Sequence, residues 1–115
     1  MSWRTRTETF LANWAEPHKS RMLSRLAEEN DLAEDLGWTC LPDDRRGFGH
    51  CSFFKGRDHV WECARGWVRA AKDDTDKYQG HHFFRTLDDA LKNENAYARL
   101  SQHGEFTPIN TPVSA

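Results

Sequence analysis

Residues 48–70 read FGHCSFFKGRDHVWECARGWVRA, and the way this stretch folds decides the architecture. Lys55-Gly-Arg-Asp58 is tight-hairpin chemistry, a glycine and a charged residue between two runs rich in aromatic and β-branched side chains. A two-residue loop at Gly56-Arg57 pairs Lys55 with Asp58. It sets Phe54 opposite His59, Ser52 opposite Trp61, His50 opposite Cys63 and Phe48 opposite Arg65. If the second strand runs unbroken from 59 to 70, bent at Gly66, alternation adds Trp67 and Arg69 to that side. The other side collects Cys51, Phe53, Val60, Ala64 and Val68, with Glu62 as the exception. One face is then small and aliphatic, suited to helix packing. The other is aromatic and basic, built from Phe54, Trp61, Arg65, Trp67 and Arg69.

Outward from this hairpin, residues 38–85 carry three of the five Trp, five of the seven Phe, all three Cys and four of the six His. Residues 38–41 form a short strand ended by Pro42, and Asp43-Asp-Arg-Arg-Gly47 is turn chemistry. Residues 48–54 are the second strand, 59–70 the third and 78–85 the fourth, the last two joined by the polar stretch 72–77. Before the sheet, Phe10, Leu11, Trp14 and Ala15 recur at helical spacing behind a cap at Thr7 or Thr9. Pro17 suits a helix start. From 17 to 29 the residues Met22, Leu23, Leu26 and Ala27 line one face. Asn30-Asp31 caps a further short turn that Gly37 stops. After the sheet, Thr86-Leu-Asp-Asp89 is a capping box with Asp in place of Glu, opening a helix expected to reach residue 100 and end at Gly104. The expected fold is α+β: N-terminal helices, a four-stranded antiparallel meander and a C-terminal helix. It forms a single domain over 1–104, with an extended tail over 105–115.

A chain of 115 residues is one domain by length and buries a core without staples. Hydrophobic residues make up 37% and charged residues 30%, but the 12% aromatic content supplies large buried areas, which favours a globular chain over a disordered one. A net charge of −2 argues against a globally basic nucleic-acid binder. No run is long and apolar enough for a membrane span, and the N-terminus lacks a signal-peptide core. The expectation is a soluble cytoplasmic protein. Three irregularly spaced cysteines point to reduced thiols rather than a disulfide framework.

Zinc chemistry is the obvious test for Cys40, Cys51, Cys63 and the nearby histidines His50, His59, His81 and His82. In the expected register Cys51 points away from His50 and Cys63, and no CxxC or HxxxH pair exists, so no metal site and no cofactor are assigned. Cys63 facing His50 is a conceivable activated thiol, yet no third group orients the pair. The carboxylate pairs Asp43-Asp44, Asp73-Asp74 and Asp88-Asp89 read as turn and helix-start chemistry. No catalytic residue is assigned and the chain is expected not to be an enzyme.

The aromatic-basic face has three readings. It is core beneath the chain's own helices, or a protein-binding face where Trp and Arg act as anchors, or a platform for single-stranded nucleic acid. A short, aromatic-rich chain without catalytic motifs resembles, in size and character alone, the small accessory proteins of phages and mobile elements. That resemblance implies an inhibitor of host machinery and assigns no residues. The sequence therefore points first to a non-enzymatic protein-binding module using Phe54, Trp61, Arg65, Trp67 and Arg69, with a homodimer as a variant. Nucleic-acid binding is the alternative, and a zinc-supported or thiol-dependent activity the second alternative.

Overall fold

The computed structural model describes residues 2–101 and 104–109. The chain is α+β with antiparallel pairing, and its described residues hold seven strands rather than the expected four. Its contacts divide into two compact units, Met1–Phe54 and Lys55–Ala115. Among the described residues no helix is long and apolar enough to cross a membrane.

The first unit opens with helix α1 (Trp3–Phe10), a 3-10 turn (Leu11–Asn13) and helix α2 (His18–Asp35). Ser2, not Thr7 or Thr9, caps α1, its hydroxyl accepting from the Thr5 amide at 3.3 Å. Thr7 is instead buried inside the helix. The expected break at Asn30-Asp31 does not occur, and Asn30 lies buried in mid-helix. Its side-chain amide donates to the Gly49 carbonyl at 3.2 Å, so it does not compete for the helix's own backbone. Leu26, Asn30 and Ala33, one turn apart in succession, form the buried line of α2. Gly37 does stop the helix as expected. At φ +87° it lets the Trp38 amide return to the Ala33 carbonyl at 2.9 Å, a left-handed helix exit.

Strands β1 (Thr39–Pro42) and β2 (Cys51–Lys55) follow, joined through a 3-10 turn at Asp44–Arg46. They pair antiparallel with Cys40 opposite Phe53 and Pro42 opposite Cys51. Side chains on one face alternate by two, so Cys40, Cys51 and Phe53 share a face. All three are buried, as are Trp3, Leu11, Leu26 and Trp38. Each large side chain among them contributes roughly 2 kcal/mol by leaving water.

The second unit holds β3 (Asp58–Cys63), β4 (Gly66–Lys72), β5 (Tyr78–Phe84), helix α3 (Leu87–Lys92), β6 (Ala98–Leu100) and β7 (Phe106–Pro108). The single third strand expected over 59–70 is in fact a hairpin, turned at Ala64-Arg65, with Cys63 opposite Gly66 and Trp61 opposite Val68. Gly66 makes the turn possible. It sits at φ +128°, and a Cβ there would stand 2.3 Å from the Phe84 carbonyl oxygen of the next strand. Thr86 caps the helix as read, its hydroxyl accepting from the Asp89 amide at 3.2 Å, while the Asp89 carboxylate accepts from Asn95. The helix, however, ends at Lys92 and not near 100. Asn93 adopts the left-handed conformation at φ +57°, which asparagine tolerates better than most residues. The chain released there returns as β6, Ala98 opposite Phe83 and Arg99 opposite His82. Part of the expected tail is strand as well, since β7 pairs with β6 through Leu100 opposite Phe106. Residues 110–115 lie outside the described residues.

Candidate functional site

The β3–β4 turn fixes which side chains share a face in the second unit. A two-residue turn pairs odd-numbered β3 positions with even-numbered β4 positions. Val60, Glu62, Trp67 and Arg69 therefore lie on one side, with His82 and Phe84 of β5. His59, Trp61, Cys63, Val68 and Phe83 lie on the other. A register shift between Arg69 and Ala71 places Tyr78 opposite Lys72, on the same side as Ala70 and Trp61.

Helix α3 closes the first of these sides. Arg69 holds it there: one guanidinium nitrogen donates to the Ala90 and Leu91 carbonyls of its last turn at 3.1 and 3.0 Å. The other nitrogen reaches Asp58 at 2.7 Å. A cation on the last turn also opposes the negative end of the helix dipole. Trp67 and Phe84 are buried on this side, at 8% and 0% exposure.

The second side carries a cluster of half-exposed rings. Trp61 lies 4.9 Å from His59, 5.2 Å from Tyr78 and 5.8 Å edge-on from His81, centroid to centroid. His59 Nδ1 and the Tyr78 hydroxyl are hydrogen-bonded at 2.6 Å. A second group follows along the sheet, Phe83 with Phe106 at 5.0 Å and Tyr97 at 6.5 Å. Cations rest on these rings: Lys72 over Tyr78, Arg65 over Phe106 and Arg85 over Tyr97, at 5.4, 4.9 and 5.2 Å. The register puts no Asp or Glu on this face among the described residues. Burial, and secondarily the charge of His82, lowers the His81 pKa, keeping its imidazole neutral near pH 7.

The sequence-predicted set is thus divided. Trp61 lies on the open face and Arg65 at its edge, over Phe106. Trp67 and Arg69 lie under α3, on the opposite side, because the strand expected to continue through Gly66 turns back before it. Phe54 lies in β2 in the first unit, half-buried and opposite Thr39. Sequence reasoning missed Tyr78, His81, Phe83 and Phe106 as members of the face. The alternation Tyr78, then His81, Phe83 was readable in the fourth strand, but the register shift that aligns the two halves was not.

The first unit contains a different kind of site, a cavity of about 330 Å³. Phe10 and Phe48 stack at 3.5 Å between centroids and are both about half exposed. Thr7, Pro42 and the backbone at Gly47 and Gly49 line the cavity with them, and Arg6, His50 and Cys51 bring in polar groups. Beside it, Arg46 forms a forked pair with Glu29 at 2.8 and 3.0 Å and donates to the Cys51 carbonyl at 2.8 Å. His50 Nδ1 stands 4.0 Å from the same Glu29 carboxylate, while Cys63 lies at the β3–β4 turn of the second unit. Among the described residues no group of three or more His, Cys, Asp and Glu could hold a metal ion.

Comparison with protein-family models, with curated proteins and with solved structures yields no match to this chain.

Proposed function

We propose that the protein is a non-enzymatic binding module that engages a protein partner through the open face of β3, β4, β5 and β7. One observation carries this reading: α3 and Arg69 close one side of the sheet, while Trp61, Tyr78, His81, Phe83 and Phe106 remain partly exposed on the other. Aromatic rings flanked by arginine are the side chains that anchor protein interfaces. With three cations over its rings and, among the described residues, no carboxylate at a strand position of the face, the complementary surface is apolar with an acidic rim. Such a module acts by occupying its partner, which is how a small inhibitor of cellular machinery works.

The geometry weighs against single-stranded nucleic acid. Base stacking needs free ring faces, and Tyr78, Phe106 and Tyr97 are already covered by Lys72, Arg65 and Arg85. The test is photo-crosslinking from position 106 in host lysate, repeated on a Trp61→Ala background and on a Phe10→Ser background. The expected result is one dominant protein crosslink, lost with Trp61→Ala and kept with Phe10→Ser. A homodimer crosslink makes the partner a second copy of this chain. A nucleic-acid adduct whose yield collapses with added salt overturns the reading, because that dependence marks phosphate contacts.

A further inference from the structure

The cavity of the first unit borders a thiol pair that the binding reading leaves unused. Cys40 and Cys51 are diagonal neighbours on the buried face of the β1–β2 hairpin. The Cys40 sulfur stands 3.5 Å from the Asn30 carbonyl and the Cys51 sulfur 3.7 Å from the Gly49 carbonyl. Arg6 borders the cavity and donates to the Cys40 carbonyl at 3.2 Å. Arg46 adds a second positive charge beside Cys51. Two cysteines, two guanidinium groups and a largely apolar cavity that Cys51 lines are the parts of a thiol reaction site.

We propose that Cys51 is a nucleophile toward small organic hydroperoxides entering this cavity, and that Cys40 resolves the product to a disulfide. The proposal goes beyond the protein-binding reading and does not rest on it. The Cys51 thiolate attacks the terminal oxygen of ROOH. The S–O bond forms as the O–O bond breaks, and the departing alkoxide takes up a proton as ROH. The peroxide is reduced by two electrons and Cys51 becomes a sulfenic acid. The Cys40 sulfur then attacks the Cys51 sulfur, the S–S bond forms, and hydroxide leaves with the Cys40 proton as water. An added dithiol returns both cysteines to thiols.

The electrostatics agree with this division of roles. The hydrogen bond from Cys40 and the charges of Arg6 and Arg46 hold the Cys51 pKa below that of an ordinary thiol, against the burial that would raise it. The same shared hydrogen bond, with burial, pushes Cys40 up, so Cys40 keeps the proton until Cys51 has reacted. The walls select the oxidant. Phe10, Phe48 and Pro42 offer apolar contact to the organic group R that hydrogen peroxide lacks. Diagonal cross-strand neighbours stand roughly 7–8 Å apart at Cα, just beyond the usual disulfide span. Closing the bond therefore draws the strands together and leaves it easily reduced.

The test uses the reduced full chain with equimolar cumene hydroperoxide, followed by peptide mapping without reduction. The expected product is a Cys40–Cys51 linked peptide, with Cys63 still a thiol although it is the more exposed. In a Cys40→Ala variant, a dimedone adduct is expected on Cys51. Cumene hydroperoxide should outpace hydrogen peroxide by about tenfold or more, the discrimination that apolar contacts supply. Arg6→Gln should slow the reaction without preventing folding, as checked by an unchanged circular dichroism spectrum. Oxidation of Cys63 ahead of Cys51, or an intact thiol pair after treatment, overturns the proposal. Equal rates with the two peroxides overturn the choice of an organic substrate.

Discussion

The two hairpins of this protein, β1–β2 in the first unit and β3–β4 in the second, solve the same packing problem in opposite ways. Each has one face closed by helix. In the first unit part-buried polar contacts flank the apolar core: Asn30 donates to the Gly49 carbonyl, Trp3 Nε1 donates to Asp31 at 3.1 Å, and Arg46 holds Glu29. A cavity of about 330 Å³ is left beside them, lined in part by Cys51. In the second unit a six-residue helix suffices, because Arg69 caps its end and ties it to Asp58. The opposite face is left to rings that rest on one another. One unit holds a cavity, the other leaves a partly exposed aromatic face.

The largest expected effect tests the turn that separates Trp61 from Trp67. Gly66→Ala places a Cβ against the Phe84 carbonyl in a backbone conformation that alanine resists, and should cost more than about 3 kcal/mol in urea unfolding. A tolerated alanine would mean that 59–70 is the single strand the sequence suggested and that both tryptophans share a face. Next comes the polar closure of the first unit. Arg46 has only 8% of its side chain exposed and pairs with Glu29, so Arg46→Met strands a carboxylate and should cost about 2–3 kcal/mol. The open face should respond much less. Trp61 is half-exposed, and Trp61→Ala is expected to cost about 1 kcal/mol in stability while abolishing the crosslink from position 106. If Trp61→Ala destabilises as much as Arg46→Met, the ring cluster is core rather than contact surface.

How far the sequence revealed this molecule depends on the kind of signal. The helix cap at Thr86 and the helix stop at Gly37 were legible because each is decided within a few residues. Helix α2 was misread at Asn30, since the carbonyl that accepts from its side-chain amide belongs to Gly49, nineteen positions away. The turn at Ala64-Arg65 carries no strong turn dipeptide, and Gly66 reads equally as a bulge. Only the close approach of Phe84 decides it. That one ambiguity moved Trp67 and Arg69 to the wrong side, yet the inference that Trp61 belongs to an aromatic face needed only the period of β3. The thiol pair was hidden differently. Cys40 and Cys51 come together through the register of β1 and β2, and residues 43–47 could not fix that register from the sequence.

The smallest expected effect concerns pH, and it separates the two regions by protonation. His81 touches Trp61 edge-on and sits beside Tyr78 and His82. Its pKa in the folded chain is lowered, first by burial and then by His82, so the unfolded chain binds the proton more readily. Stability from this site is complete above the ordinary histidine value near 6.5 and declines as pH falls toward the lower folded value. The charged imidazolium also loses its place in the ring cluster and quenches the indole it touches. Tryptophan fluorescence and melting temperature should both drop between pH 7.5 and about 5.5, and His81→Gln should remove most of the fluorescence change. The cumene hydroperoxide reaction, by contrast, should slow as pH falls and Cys51 gains a proton. A fluorescence drop that persists in His81→Gln would assign the titration to another histidine and detach the pH response from the open face.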